Sequence, residues 1–168
     1  SEKDPIFTVP EPFIGKSGAR IMSLQDPDKK MSKSDENPKA FVSIIDPPKK
    51  IQKKIKAAVT DSDPNAVIKY DEENKKGLAN LMTIYSVLSG QTMSAIENEF
   101  EGKMYGHLKV ALADLVCDTF APVQKKYQDL MENPDHLKNI MKTNAERARS
   151  VAGETLKNTY QALGLVTF

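Results

Sequence analysis

One cysteine, Cys117, and two histidines, His107 and His136, are all that 168 residues offer to thiol or soft-metal chemistry. A lone cysteine excludes a disulfide framework and a cysteine-based metal site, and Cys117 reads as a small core residue near an apolar helical stripe. The histidines have no Cys, His or paired acid at ligand spacing, so capping or surface roles at helix starts fit them better than catalysis. Paired carboxylates, a nucleophilic triad and a zinc signature are all lacking. Gly15-Lys16-Ser17 has no glycine five residues upstream, so it is a turn and not a phosphate-cradling P-loop. Asp61 and Asp63 bracket a serine like part of a calcium loop, but the rest of that motif is missing. Arginine is scarce: Arg20, Arg147 and Arg149 are the full set. The last two lie two apart on a predicted helix and point to different sides; one of them is a candidate phosphate contact. No apolar run nears the ~20 residues a membrane span needs. No basic stretch followed by an apolar one opens the chain, so no leader peptide is expected and a cytoplasmic setting is the default. Internal repeats and low-complexity tracts are also missing.

What is present is ordinary for a folded protein: 39% hydrophobic, 28% charged, net charge +1. The charge is unevenly placed. Residues 26–56 hold nine lysines against five acids, a balance of +4, whereas residues 57–168 balance to −3. At the start of the basic region stands Lys30-Met31-Ser32-Lys33-Ser34, fenced by Pro27 and Pro38. Two ammonium groups on flexible stems and two rotatable hydroxyls in one short polar loop can grip phosphate oxygens. A field of lysines around them suits an anionic ligand.

Ile6–Val9 reads as a short strand, followed by the rigid Pro10-Glu11-Pro12. Arg20-Ile21-Met22-Ser23-Leu24 reads as a short half-buried strand that delivers the lysine loop. A ligand loop at the end of a strand is where open α/β sheets place their chemistry, although one or two strands cannot make such a sheet. Asp46 is then expected to cap a helix whose first turn takes Pro47 and Pro48, with Ile51, Ile55, Ala58 and Val59 on one face and the lysines mostly on the other. Further helices are expected around Leu78–Leu88 with a stop at Gly90, from a capping box at Ser94–Glu97 to Gly102, from Gly106 through a kink at Pro122, and from Asn133-Pro134 to Gly164. The apolar stripe of the last helix runs through Leu137, Ile140, Val151, Leu156 and Leu163. The methionines Met82, Met104, Met131 and Met141 read as core filler.

The loop Lys30–Ser34 resembles the second signature motif of class I aminoacyl-tRNA synthetases. Gly18–Leu24, Ala58–Ser62 and Glu101–Gly106 resemble the bacterial tryptophanyl branch of that family; the tyrosyl branch fits these runs less well. The resemblance implies a mainly α chain: residues 1–61 as the C-terminal edge of a Rossmann-like α/β catalytic domain, and residues 62–168 as an α-helical bundle that handles the tRNA anticodon. It implies ATP-dependent activation of tryptophan to tryptophanyl-adenylate with release of pyrophosphate, then transfer to tRNA(Trp). In that scheme Lys30 and Lys33 hold the triphosphate and neutralise the departing pyrophosphate. Ser32 and Ser34 donate to phosphate or fix the loop, and Met31 and Ile21 pack at or near the adenine. Mg2+ is expected to come with ATP, with no protein ligand for it identifiable. A homodimer is implied for the full enzyme, with no membrane association. The histidine-glycine signature that grips ATP from the other side is absent, as are the indole-pocket residues. The chain is therefore expected to be a fragment, inactive alone. The alternatives are a non-catalytic helical tRNA-binding module, with Lys125, Lys126, Lys138, Lys142 and Arg147 as a local basic stripe, and a relative of the tyrosyl enzymes.

Overall fold

The computed structural model describes residues 7–15 and 18–166. It is mainly α, as expected, with five helices among those residues: α1 Pro48–Lys56, α2 Lys76–Ser89, α3 Met93–Glu99, α4 Tyr105–Glu132 and α5 Pro134–Leu163. Contacts divide the chain into two compact units, residues 14–125 and residues 1–13 with 126–168.

The first unit holds a continuous apolar core. Ile51 and Ile55 of α1, Leu78, Leu81 and Met82 of α2, Ile96 of α3, and Leu108, Leu112 and Val116 of α4 all meet there. Their spacing is that of one helical face, which is why the sequence pattern announces them. Tyr85 and Phe100 meet edge to face with ring centroids 5.6 Å apart, the arrangement their opposed ring quadrupoles favour. This core runs from Leu24 to Val116, so it spans position 61 without a break.

Helix ends follow local chemistry, with two corrections. α2 stops where Gly90 takes φ +74, a left-handed value that glycine reaches without a Cβ penalty. α3 is capped by Thr92, whose hydroxyl accepts from the Ala95 amide at 3.2 Å. The expected capping box at Ser94 is thus replaced by a simple N-cap two residues earlier; Glu97 instead accepts from the Tyr70 amide at 2.8 Å. Asp46 does not cap α1 either. Pro47 holds the cap position, and Asp46 is drawn inward to two lysines, described below. The fourth helix begins at Tyr105, and its first turn is met by His107, whose Nδ1 accepts from the Met104 amide at 3.2 Å. Pro122 lies within α4, which continues through it. Asn133 takes the cap position of α5, but its Nδ2 donates back to the Asp129 carbonyl at 2.7 Å.

The strand readings fare differently. Ile6 lies outside the described residues, and Phe7–Val9 are irregular and exposed. Residues 20–24 form no named strand; one antiparallel bridge, Met22 with Lys30, marks them. The segment's backbone bonds run to unlike partners. Ile21 and Ser23 bond the residues after the turn, while Leu24 donates to the Ala40 carbonyl at 2.9 Å and accepts from the Val59 amide at 2.8 Å. Alternation of sides is the property of an extended chain; the partners are loops, so no sheet results.

In the second unit none of the described residues is buried, α5 included. Its stripe of Leu137, Ile140, Val151, Leu156 and Leu163 keeps helical spacing but no buried side chain. Periodicity specifies that one face be apolar, not that the same chain covers it.

Candidate functional site

The lysine loop rises from the extended segment 21–24. A turn, closed by the Lys29 amide to the Asp26 carbonyl at 3.0 Å, reverses the chain. The Ser23 amide then donates to the Lys29 carbonyl at 2.8 Å, and the Met31 amide to the Ile21 carbonyl at 3.0 Å. These two bonds flank Met22 and Lys30 and make them a close pair that exchanges no hydrogen bond of its own. The loop ends where Ala40, 1% exposed, is fixed by its bond to Leu24. Between Met31 and Ala40 the backbone is held only by local bonds such as the Asp35 amide to the Ser32 carbonyl at 3.3 Å.

Lys30 and Lys33 are exposed. Neither pairs with an acid among the described residues. Their neighbours do: Lys29 pairs with Asp26 at 2.9 Å, and Lys76 with Asp28. The field of lysines is therefore partly consumed, while the two loop ammoniums stay available to a ligand. Ser32 and Ser34 turn their hydroxyls toward each other at 3.0 Å, and the Ser34 amide donates to the Ser32 hydroxyl at 3.3 Å. The serines thus shape the loop in this structure. Ile21 and Met31 come together at one apolar hollow of about 230 Å³ that also takes in Val42, Leu88 and Phe120. So the structure brings all six predicted residues onto one loop and its root: Ile21, Lys30, Met31, Ser32, Lys33 and Ser34.

Three groups around the loop escaped the sequence pattern. Lys54, on the α1 face counted as solvated, is 5% exposed. Its ammonium pairs with Asp46 and donates to the Phe41 carbonyl at 2.8 Å. Asp46 also pairs with Lys50 at 2.8 Å and accepts from the Ser43 amide at 3.1 Å. Burial pushes the Asp46 carboxyl up, but Lys50, Lys54 and that amide together hold it below its ordinary 3.8. Asn80, 6% exposed, binds the Met22 backbone with both ends of its amide. Its signal was present: a lone amide among Leu78, Ala79, Leu81 and Met82.

Lys75 escaped as well. It is held by Asp63 at 2.7 Å, the Val67 carbonyl at 2.9 Å and the Tyr105 hydroxyl at 3.1 Å. Burial pushes its pKa down, but Asp63 and Tyr105 win and raise it. Tyr105 in turn donates to Asp61 at 2.6 Å, and Lys109 donates to the Ala58 carbonyl at 2.8 Å. The stretches 58–62 and 101–106, far apart in sequence, therefore meet in space. Cys117 is half-buried beside the core, and burial raises its thiol, which leaves little nucleophilic thiolate. His136, Arg147 and Arg149 are exposed on α5. Among the described residues no group of three or more His, Cys, Asp or Glu stands where it could hold a metal ion. No helix among them is long and apolar enough to cross a membrane.

Comparison with known proteins covers most of the chain. A family profile described as tRNA synthetases class I (W and Y) matches residues 1–121. The tryptophan–tRNA ligases of Oceanobacillus iheyensis and Bacillus anthracis are each 50% identical over 160 residues, covering 95% of this chain and 48% of theirs. The chain thus spans about half the length of the curated relatives it matches. Among solved structures, the tryptophanyl-tRNA synthetase of Mycoplasma pneumoniae superimposes with a TM-score of 0.80 at 29% identity, covering 90% of this chain and 45% of that one. The Campylobacter jejuni enzyme, solved with ADP and tryptophan, gives 0.66 at 33% identity, covering 95% and 48%.

Proposed function

The chain belongs to the class I tRNA synthetases of the tryptophan and tyrosine kind, and from that membership we propose that it is part of a tryptophan–tRNA ligase. The observation that carries the choice is the 50% identity to two tryptophan–tRNA ligases over 95% of this chain. The full enzyme then joins tryptophan to the α-phosphate of ATP, with pyrophosphate leaving, and passes the aminoacyl group to the 3′-terminal ribose of tRNA(Trp).

In this reading residues 1–61 close the catalytic domain and residues 62–168 serve tRNA, a division of roles within a chain whose apolar core crosses that point. Lys30 and Lys33 take the triphosphate. Negative charge collects on the leaving pyrophosphate as the bond breaks, and two ammoniums placed there lower the energy of that state more than of the ground state. Their lack of acidic partners among the described residues supports this role. Ser32 and Ser34, when a nucleotide arrives, exchange their mutual bond for phosphate contacts. Ile21 and Met31 offer an apolar wall to the adenine. Mg2+ would enter on the phosphates of ATP. The full enzyme works as a cytoplasmic homodimer.

The test is pyrophosphate exchange into ATP by the full-length protein, with tryptophan or tyrosine as substrate. Strong exchange with tryptophan and little with tyrosine is expected. The reverse preference places the protein in the tyrosyl branch, and exchange with neither removes the catalytic reading. The 168 residues alone are expected to show no exchange.

A further inference from the structure

The side chain of Asn80 occupies a place that a neighbouring β-strand would normally fill. Met22 makes no hydrogen bond to Lys30, because the bonds of that pair lie on either side of it. Its own amide and carbonyl face the other way, toward α2. There the Asn80 Oδ1 accepts from the Met22 amide at 2.9 Å and the Asn80 Nδ2 donates to the Met22 carbonyl at 2.8 Å. One carboxamide thus satisfies both peptide groups of the residue that sits opposite Lys30. The remaining fixings of the segment, at Leu24, lie two residues further on. Asn80 is 6% exposed, and a buried amide of this kind is held by its hydrogen-bond partners.

We infer that Asn80 is a positioning residue for the lysine loop: it sets the height and register of Met22, and through the Met22–Lys30 pair the place from which Lys30 reaches a nucleotide. This rests on the reading above for the reaction, but not for the mechanical link. No other amino acid fills the position with the same reach and both polarities. Leu keeps the volume and loses both bonds. Asp keeps the shape and the acceptor, but when ionised it sets a negative oxygen against the Met22 carbonyl. When protonated, its O–H replaces the lost donor.

The experiment uses the full-length protein with Asn80→Leu and Asn80→Asp. Three quantities are read: kcat and KM in pyrophosphate exchange, amide hydrogen exchange at Ser23 and Met31, and the thermal midpoint. For Asn80→Leu, kcat is expected to fall on the order of 10²-fold, the effect of a small misplacement of reacting groups. The KM for tryptophan is expected to stay near the wild-type value. The Ser23 and Met31 amides, which do not touch Asn80, are expected to exchange about tenfold faster. For Asn80→Asp, kcat relative to wild type is expected to rise as pH falls, because the protonated carboxyl regains the donor that the ionised one lacks. A purely structural residue would lower kcat only with the folded fraction and would show no such pH response at constant midpoint.

Wild-type kcat in Asn80→Leu, or unchanged exchange at Ser23 and Met31, overturns the inference. If Asn80→Leu does not fold, the pH response of Asn80→Asp decides. If the wild-type protein lacks exchange activity, the proposed reaction fails, while the two amides still decide whether Asn80 holds the loop.

Discussion

At the scale of single residues, the informative groups are charges that found, or did not find, a partner. Lys33 did not, and its expected part is to meet charge that develops during reaction. Lys33→Ala in the full-length protein should lower kcat of adenylate formation by a factor near 10², about 3 kcal/mol of barrier. The KM for tryptophan should hardly move; an equal loss in both would contradict a transition-state role. Lys54 did find a partner, inside the protein. Lys54→Met should destabilise the fold by about 3 kcal/mol, because Asp46 would keep its burial and lose one of two cations; urea unfolding measures this. Asp46 also fixes a pH dependence. Its folded pKa lies below its unfolded value, so its stabilisation is complete above about pH 4 and is lost as pH falls through the lower, folded value. Asp46→Asn should flatten the decline of the unfolding midpoint across that acid range. Lys30 and Lys33 were legible from sequence because a short motif names its own chemistry. Lys54, Asp46, Lys75 and Asn80 were not, because each is defined by a partner eight to dozens of residues away. Spacing along one helix carries no trace of such a partner.

At the scale of elements, close approach explains what propensity does not. Gly77 sits in the first turn of α2, where glycine is a poor helix former. A Cβ there would stand 2.2 Å from the Val59 carbonyl oxygen, a backbone atom with no freedom to swing aside. Gly77→Ala should therefore destabilise by about 1–3 kcal/mol despite its better helix propensity, and thermal unfolding would show the sign. Thr92→Ala should cost about 1 kcal/mol through loss of the α3 cap, whereas Ser94→Ala should cost little. The buried faces of α1 to α4 were readable because apolar residues repeat at helical period. The segment 20–24 was half readable. Its alternation says that it is extended, but not that its partners are two loops, a turn and an amide side chain.

At the scale of the whole chain, burial is concentrated. The unit of residues 14–125 carries every buried side chain among the described residues, from Ser23 to Val116. In the isolated 168-residue chain, amides around Leu108–Val116 should exchange slowest and those of α5 much faster, since local opening there exposes little that was hidden. Comparable protection in α5 would mean that it buries surface against something in solution. The apolar stripe of α5 was visible in sequence and its exposure was not, since a pattern on one helix holds no information about what lies across from it.

The loop between Met31 and Ala40 has one consequence for how the two lysines differ. Both of its ends are moored to the same short stretch, Met31 to Ile21 and Ala40 to Leu24. Lys30 precedes the first mooring, and Lys33 lies beyond it. One lysine therefore springs from backbone pinned to the core, like a lamp bracket on a wall, and the other springs from a span tied down only at its two ends. If the loop takes a nucleotide as proposed, Lys33 can shift its place more readily than Lys30, since residues 32–39 make no contact with the apolar core.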